Sequence, residues 1–136
     1  MVKTTVAAVV TPDSGNRRSV LLTRRSVSPF MGLWCLPGGH IDDFEAIDDA
    51  VRREVFEETG LDFTPEQQLG WFEEIFPEHR FHAVALAFRG TGIGTLRPQP
   101  EEVSQIGWFA LDEALEMRLA FNHTLVLQSY ARSLTP

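Results

Sequence analysis

The sequence predicts an α/β sandwich with a mixed β-sheet, and three observations carry that prediction. One helix-length run of good helix formers lies between Pro37-Gly38-Gly39 and Thr59-Gly60. β-Branched and apolar strand patterns stand on both sides of it, at 4–10 and 19–23 before and at 69–76 and 81–88 after. A further strand pattern at 106–109 leads into a C-terminal helical pattern, so strands and helices interleave instead of segregating.

Taken in order, residues 4–10 read as a central strand, the cluster at 11–16 as a turn, and 19–23 as a second strand forming a hairpin with the first. Arg24-Arg25 then places a basic pair in an acidic chain, and Arg24 is a candidate phosphate contact. Ser28 to Gly32 reads as a loop and 33–36 as a short strand containing Trp34, either core or a stacking surface. Pro37-Gly38-Gly39 lets the backbone approach a ligand closely. The helix is expected to start near Asp43 or Glu45 and to end on a left-handed cap at Gly60.

After it, 62–66 reads as a connector, and the strands 69–76 and 81–88 form a hairpin around Pro77-Glu78-His79-Arg80. The second of these strands is apolar on both faces, as for a strand covered on two sides, and His82 reads as an ordinary strand histidine. Residues 89–100, with three glycines and two prolines, read as a mobile loop. Residues 111–117 read as a short helix, and Asn122 as the N-cap of a last helix to 134 with Leu127, Tyr130 and Leu134 facing inward.

Composition narrows the class. The chain of 136 residues has the length of one domain spanning 1–136, and 43% hydrophobic with 23% charged residues is ordinary for a globular protein. A net charge of −7 argues against a nucleic-acid partner, which calls for a basic face. The lone Cys35 lies in the apolar run Leu33-Trp34-Cys35-Leu36; it excludes an intramolecular disulfide and reads as a buried small hydrophobe. No leader and no apolar run of membrane-spanning length is visible, so a cytoplasmic location without a membrane partner is expected, with a homodimer left open.

The chemistry concentrates on the central helix. At 3.6 residues per turn, Ile47, Val51, Glu54 and Glu58 share one stripe flanked by Ala50 and Val55, with Glu57 one step to the side. An ordinary surface helix places its acids opposite its apolar stripe; here two of them continue it. Inward carboxylates crowded together repel one another and lose hydration, so they call for compensating charge, and a hard divalent cation with oxygen ligands supplies it. Arg53 lies beside Glu57 and can orient a ligand carboxylate. The bland alternative is a solvated acidic helix.

Gly39, Glu45 and Arg53-Glu54-Val55-Phe56-Glu57-Glu58-Thr59-Gly60-Leu61 together resemble the signature of the Nudix hydrolase family over a window of 23 residues. The one departure is Phe44, where many members carry glycine, and it removes no ligand. The resemblance implies a Nudix-like α/β/α sandwich whose strand-loop-helix-loop unit holds Mg²⁺, for which Mn²⁺ can substitute, against a diphosphate. It implies metal ligation by Glu54, Glu57, Glu58 and the Gly38 carbonyl, with Arg53 and Glu45 as orienting residues. It further implies hydrolysis of a nucleoside diphosphate linked to another group. In resembling sequences an acid just before the strand carrying Trp108 completes the site or activates water, and Glu102 is preferred to Glu101 for that place. Arg24, Trp34, Gly39 and Phe76 are the candidates for holding substrate, with Trp71 and Phe72 as weaker aromatic ones.

Pro77 lies sixteen residues beyond Leu61, an offset at which ADP-ribose-cleaving members carry proline. Leu119-Ala120-Phe121-Asn122-His123 also resembles a segment of ADP-ribose-handling relatives, with asparagine for their aspartate. Both point to ADP-ribose or a nucleoside diphosphate sugar; hairpin geometry explains Pro77 equally well. The alternatives are a (d)NTP pyrophosphohydrolase using the same metal site and, more remotely, a non-catalytic nucleotide-sensing module.

Overall fold

A computed structural model describes residues 1–135. Strand β1 (Lys3–Pro12) is the spine: it pairs in parallel with β6 (Phe81–Ile93) from Lys3↔Ala83 to Pro12↔Gly92, and antiparallel with β4 (Gly38–His40). Strand β5 (Asp62–Phe76) pairs antiparallel with β6, giving a mixed sheet in the order β4-β1-β6-β5. A second, antiparallel sheet runs β3-β2-β7, from Trp34–Cys35, Ser19–Arg25 and Val103–Ala110. Three helices complete the fold: α1 (Ile47–Thr59), α2 (Leu111–Glu116) and α3 (His123–Ser133).

The period-2 alternation of β1 builds two cores at once. Val6, Ala8 and Val10 pack with Leu21, Phe63 and the Ala50, Val51 and Val55 face of α1. Ala7 and Val9 point the other way, onto Leu111 and Ala114 of α2 and Val126, Leu127 and Tyr130 of α3. Burying Val51 and Val55 contributes roughly 2 kcal/mol each, which anchors α1 to the sheet by the side that also carries its acids.

The α/β/α sandwich with a mixed sheet is therefore as expected, while several local expectations are corrected. Strands β1 and β2 do not form a hairpin: both edges of β1 are occupied, by β4 and β6, and β2 joins the other sheet. Residues 62–66 are strand, not connector, and β5 reaches fifteen residues by absorbing two bulges, at Pro65/Gln67 and Gln68/Gly70. β6 runs on to Ile93, so the irregular loop is shorter than 89–100. Helix α1 starts at Ile47, because Phe44 at φ 64° is left-handed and Glu45 closes a turn back onto Asp42. Ile47 itself is exposed, so the inward stripe begins at Ala50 and Val51. Asn122 flanks α3 without a side-chain cap; its Nδ2 donates instead to the Glu73 carbonyl.

Candidate active site

The C-terminal half of α1 faces β4, and Gly60 at φ 80° ends the helix as the left-handed cap the sequence calls for. Glu58 is only 9% exposed, its Oε1 accepting the Gly38 N–H at 2.9 Å. Glu54 lies against Gly39, where an added Cβ would come within 2.4 Å of its Oε2. Both acids border a cleft of about 350 Å³ that also takes in Gly38, Gly39 and Glu102. Glu102 precedes β7 with its carbonyl accepting from Ser26 N–H at 3.0 Å, and its neighbour Glu101 does not line the cleft.

Arg53 organises the acids. Its Nε and Nη2 donate to Glu45 at 2.7 and 2.9 Å, its Nη1 to Glu54 at 2.9 Å and Glu57 at 3.2 Å, and its Nη2 also to the His40 carbonyl at 3.0 Å. This guanidinium, together with the Asp42 N–H, holds Glu45 down to about 2. The inward pair behaves oppositely. Burial, with the charges of Glu54 and Glu102 nearby, pushes Glu58 up to about 8 despite the Gly38 hydrogen bond. Burial is also the main cause raising Glu54, opposed by Arg53.

Among the described residues, no three His, Cys, Asp or Glu side chains are already gathered as a cage for a cation. The reason is visible in the hydrogen bonds: Arg53 occupies Glu57 and one oxygen of Glu54, and Gly38 occupies one oxygen of Glu58. The donor set nevertheless fits a hard divalent cation: it is all oxygen, and Glu58 is buried without an ion-pair partner among the described residues.

A family model for the NUDIX domain matches residues 1–130. The chain belongs to the NUDIX family. An ADP-ribose pyrophosphatase of Methanocaldococcus jannaschii is 31% identical over 113 residues, covering 83% of this chain and 66% of that protein. Among solved structures, the NUDIX domain of Shewanella oneidensis NrtR complexed with ADP ribose has a TM-score of 0.85 at 30% identity, covering 99% of this chain and 90% of that one. A MutT NUDIX hydrolase from Burkholderia pseudomallei has a TM-score of 0.84 at 29% identity, covering 95% and 98%. The chain spans 66% of the first curated relative's length and 42% of the next two.

Within this NUDIX fold the sequence-named residues divide. Gly38, Gly39, Glu54, Glu58 and Glu102 come together at the cleft. Glu57 stays on the rim, about half exposed and tied to Arg53, and Glu45 serves Arg53 from outside the cleft. The substrate candidates fare less well. Arg24 turns outward to the Gly32 carbonyl at 2.9 Å, because alternation along β2 gives the cleft to Thr23 and Arg25. Trp34 packs edge-on to Phe109 at 4.9 Å in the core, and Phe76 packs edge-on to Phe30 at 5.1 Å outside the cleft. Cys35 is buried, its thiol pushed up to about 11, so it is no nucleophile.

The cleft instead holds Arg25, Glu74 and Phe81, together with Phe121 and His123 of the segment that resembles ADP-ribose-handling relatives. A signal for Glu74 existed. In Trp71 to Phe76 the alternation puts Phe72, Glu74 and Phe76 on one face, so Glu74 interrupts an inward apolar row as Glu54 does on the helix. If Glu102 takes the general-base place that the resemblance implies, its replacement by glutamine is expected to lower turnover about a hundredfold. A loss under tenfold in steady-state assays would remove Glu102 from that role.

Proposed function

We propose that this chain is a Mg²⁺-dependent Nudix pyrophosphohydrolase that cleaves the diphosphate of a nucleoside diphosphate linked to another group, with ADP-ribose or a nucleoside diphosphate sugar as first choice. One observation carries the reading: the two carboxylates that continue the apolar stripe of α1, Glu54 and Glu58, meet Glu102 and the Gly38-Gly39 backbone in a single cleft. Glu54, Glu58 and the Gly38 carbonyl would hold the cation, with Glu57 recruited from its pairing with Arg53. When bound, such a cation neutralises the diphosphate, stabilises charge in the transition state and lowers the pKa of a coordinated water.

The chain's own groups do the rest. Arg53 holds Glu54 at the cleft and keeps Glu57 beside it on the rim, with Glu45 and the His40 carbonyl fixing the guanidinium in turn. Gly39 leaves the space that Glu54 occupies. Glu102, which lines the same cleft, accepts the proton of the attacking water. Ordered burial of the acids supplies the charge demand that a cation satisfies, so catalysis and cation affinity rest on the same side chains. The Methanocaldococcus jannaschii relative's name and the ADP ribose in the Shewanella oneidensis complex support the substrate choice. The competing reading is a (d)NTP pyrophosphohydrolase using the same cation site.

A substrate panel at equal concentration with Mg²⁺ separates them. ADP-ribose is expected to give AMP and ribose 5-phosphate with kcat/KM above that of every dNTP. A dNTP exceeding all sugar-linked diphosphates would overturn the substrate choice, leaving the cation site untouched.

A further inference from the structure

The inner end of the cleft carries a buried acid that the hydrolytic chemistry does not use. Glu74, on β5, is 2% exposed and lines the cleft with Phe81, Phe121 and His123. Its Oε2 accepts the backbone N–H of Asn122 at 3.2 Å. Nδ1 of His123 accepts the Leu36 N–H at 3.0 Å, which leaves the ring proton on Nε2, 3.9 Å from the same Oε2. His123 is held neutral by burial and by Arg25, well below the ordinary histidine range. No cation therefore offsets Glu74. Its other oxygen, Oε1, has no partner among the described residues, and the only sealed unpartnered side-chain atom among them is Nε of Arg89. Oε1 consequently opens to the cleft.

The wall around it is built at a conformational cost. Phe121 sits at φ 55°, an unfavourable left-handed position for an aromatic residue, and this turn presents the Asn122 N–H to Glu74. Arg25 covers Phe121 with its guanidinium carbon 4.9 Å from the ring centroid, while Phe81 meets the same ring tilted by 47° and Phe30 meets it edge-on. Tilted rings with one face already covered offer no parallel pair of faces for a base to slide between. They do offer an apolar rim around one acceptor.

We propose that this pocket is a ribose-reading subsite in which the Glu74 carboxylate accepts hydrogen bonds from the vicinal 2′- and 3′-hydroxyls of the substrate's nucleotide. Burial pushes Glu74 up to about 7, so above that pH its free oxygen is a charged acceptor without a cationic partner, and a cis-diol brings it two neutral donors. A deoxyribose brings one. Glu74 is thus a specificity-determining residue that favours ribonucleotides. This extends the proposed function, and it rests on that reading for the nucleotide class of the ligand.

Binding of AMP, dAMP and IMP to the full chain in metal-free buffer at about pH 8.5, where Glu74 is ionised, tests the subsite by isothermal titration without requiring turnover. The wild-type chain is expected to bind AMP at least about tenfold more tightly than dAMP, the scale of a hydrogen bond to a charged group, and IMP like AMP. Glu74→Gln keeps an acceptor for Asn122 and should shrink the AMP-to-dAMP ratio to under about threefold while leaving dAMP affinity in place. Equal affinity for AMP and dAMP in the wild type overturns the proposal, whatever the stability of the variant. So does a ratio that survives Glu74→Gln, a loss confined to IMP, which would signal base reading, or no nucleotide binding at all. Should the ribose preference appear while no diphosphate is hydrolysed, the hydrolase reading fails and the subsite stands.

Discussion

Glutamine at position 54 or 58 is expected to yield a folded protein whose Mg²⁺-dependent turnover falls about a thousandfold, equivalent to roughly 4 kcal/mol of transition-state stabilisation. Shape survives the change, since in Glu58→Gln the amide oxygen can still accept the Gly38 N–H, and charge does not. Stability should move the other way. Glu58 titrates near 8 in the folded chain, above the ordinary glutamate value of 4.5. A raised value means that folding favours the protonated acid. The associated stability is complete below about pH 4.5 and is lost as pH rises through 8. In chelator at pH 8.5, Glu58→Gln should therefore melt about 10 °C above wild type, and the gap should close by about pH 5. Thermal melts across that range check the sign: a variant that melts below wild type throughout, or that keeps near-normal activity, ends this assignment.

Adjacent glycines should separate folding from function. A Cβ at Gly38 would lie 2.0 Å from the backbone carbonyl of Val6 on the spine strand, and neither atom can turn aside. Gly38→Ala must push β4 off β1, at a cost of about 3 kcal/mol and a Tm lower by about 10 °C. At Gly39 the obstacle is the Glu54 carboxylate, the end of a side chain. Gly39→Ala should keep the wild-type Tm within about 3 °C while Glu54 is forced from its place, with turnover down about a hundredfold, as when an aligned group is displaced by an ångström. Paired melting curves and rates decide it: equal damage to stability at both positions would mean that the two glycines share one structural role.

Much of this arrangement was legible in the chain, for identifiable reasons. The sandwich follows from strand patterns flanking one long helix, and the inward acids from two glutamates placed where the helical period demands apolar residues. Both are local periodicities, which need no knowledge of what packs against them. Where the reading went astray, the deciding fact was long-range. The first two strands are sequence neighbours, yet their partners are β4 and β6 for one and β3 and β7 for the other, and no turn signal records that a neighbour's edge is already taken. Arg24 and Arg25 are adjacent in sequence yet point to opposite sides, and only the register with β7 says which side is the cleft. Trp34 and Phe76 are aromatic like Phe81 and Phe121, and composition cannot rank them. The left-handed turn at Phe121 has no glycine to announce it.

The two bulges of strand β5 bear on what its outer edge offers to other chains. It is the outer strand of its sheet, fifteen residues long, with Trp71 and Ile75 exposed on it. A straight outer strand of that length would invite other chains to zip alongside and grow a cross-β stack. The interruptions at Pro65/Gln67 and Gln68/Gly70 break its row of free donors and acceptors into unequal pieces, the longest running from Gly70 to Phe76. Within that piece the exposed charge of Glu73 sits between the two apolar side chains, and Pro77 closes its end. The same irregular strand that delivers Glu74 to the cleft thus offers a neighbouring chain a shorter regular edge to pair with.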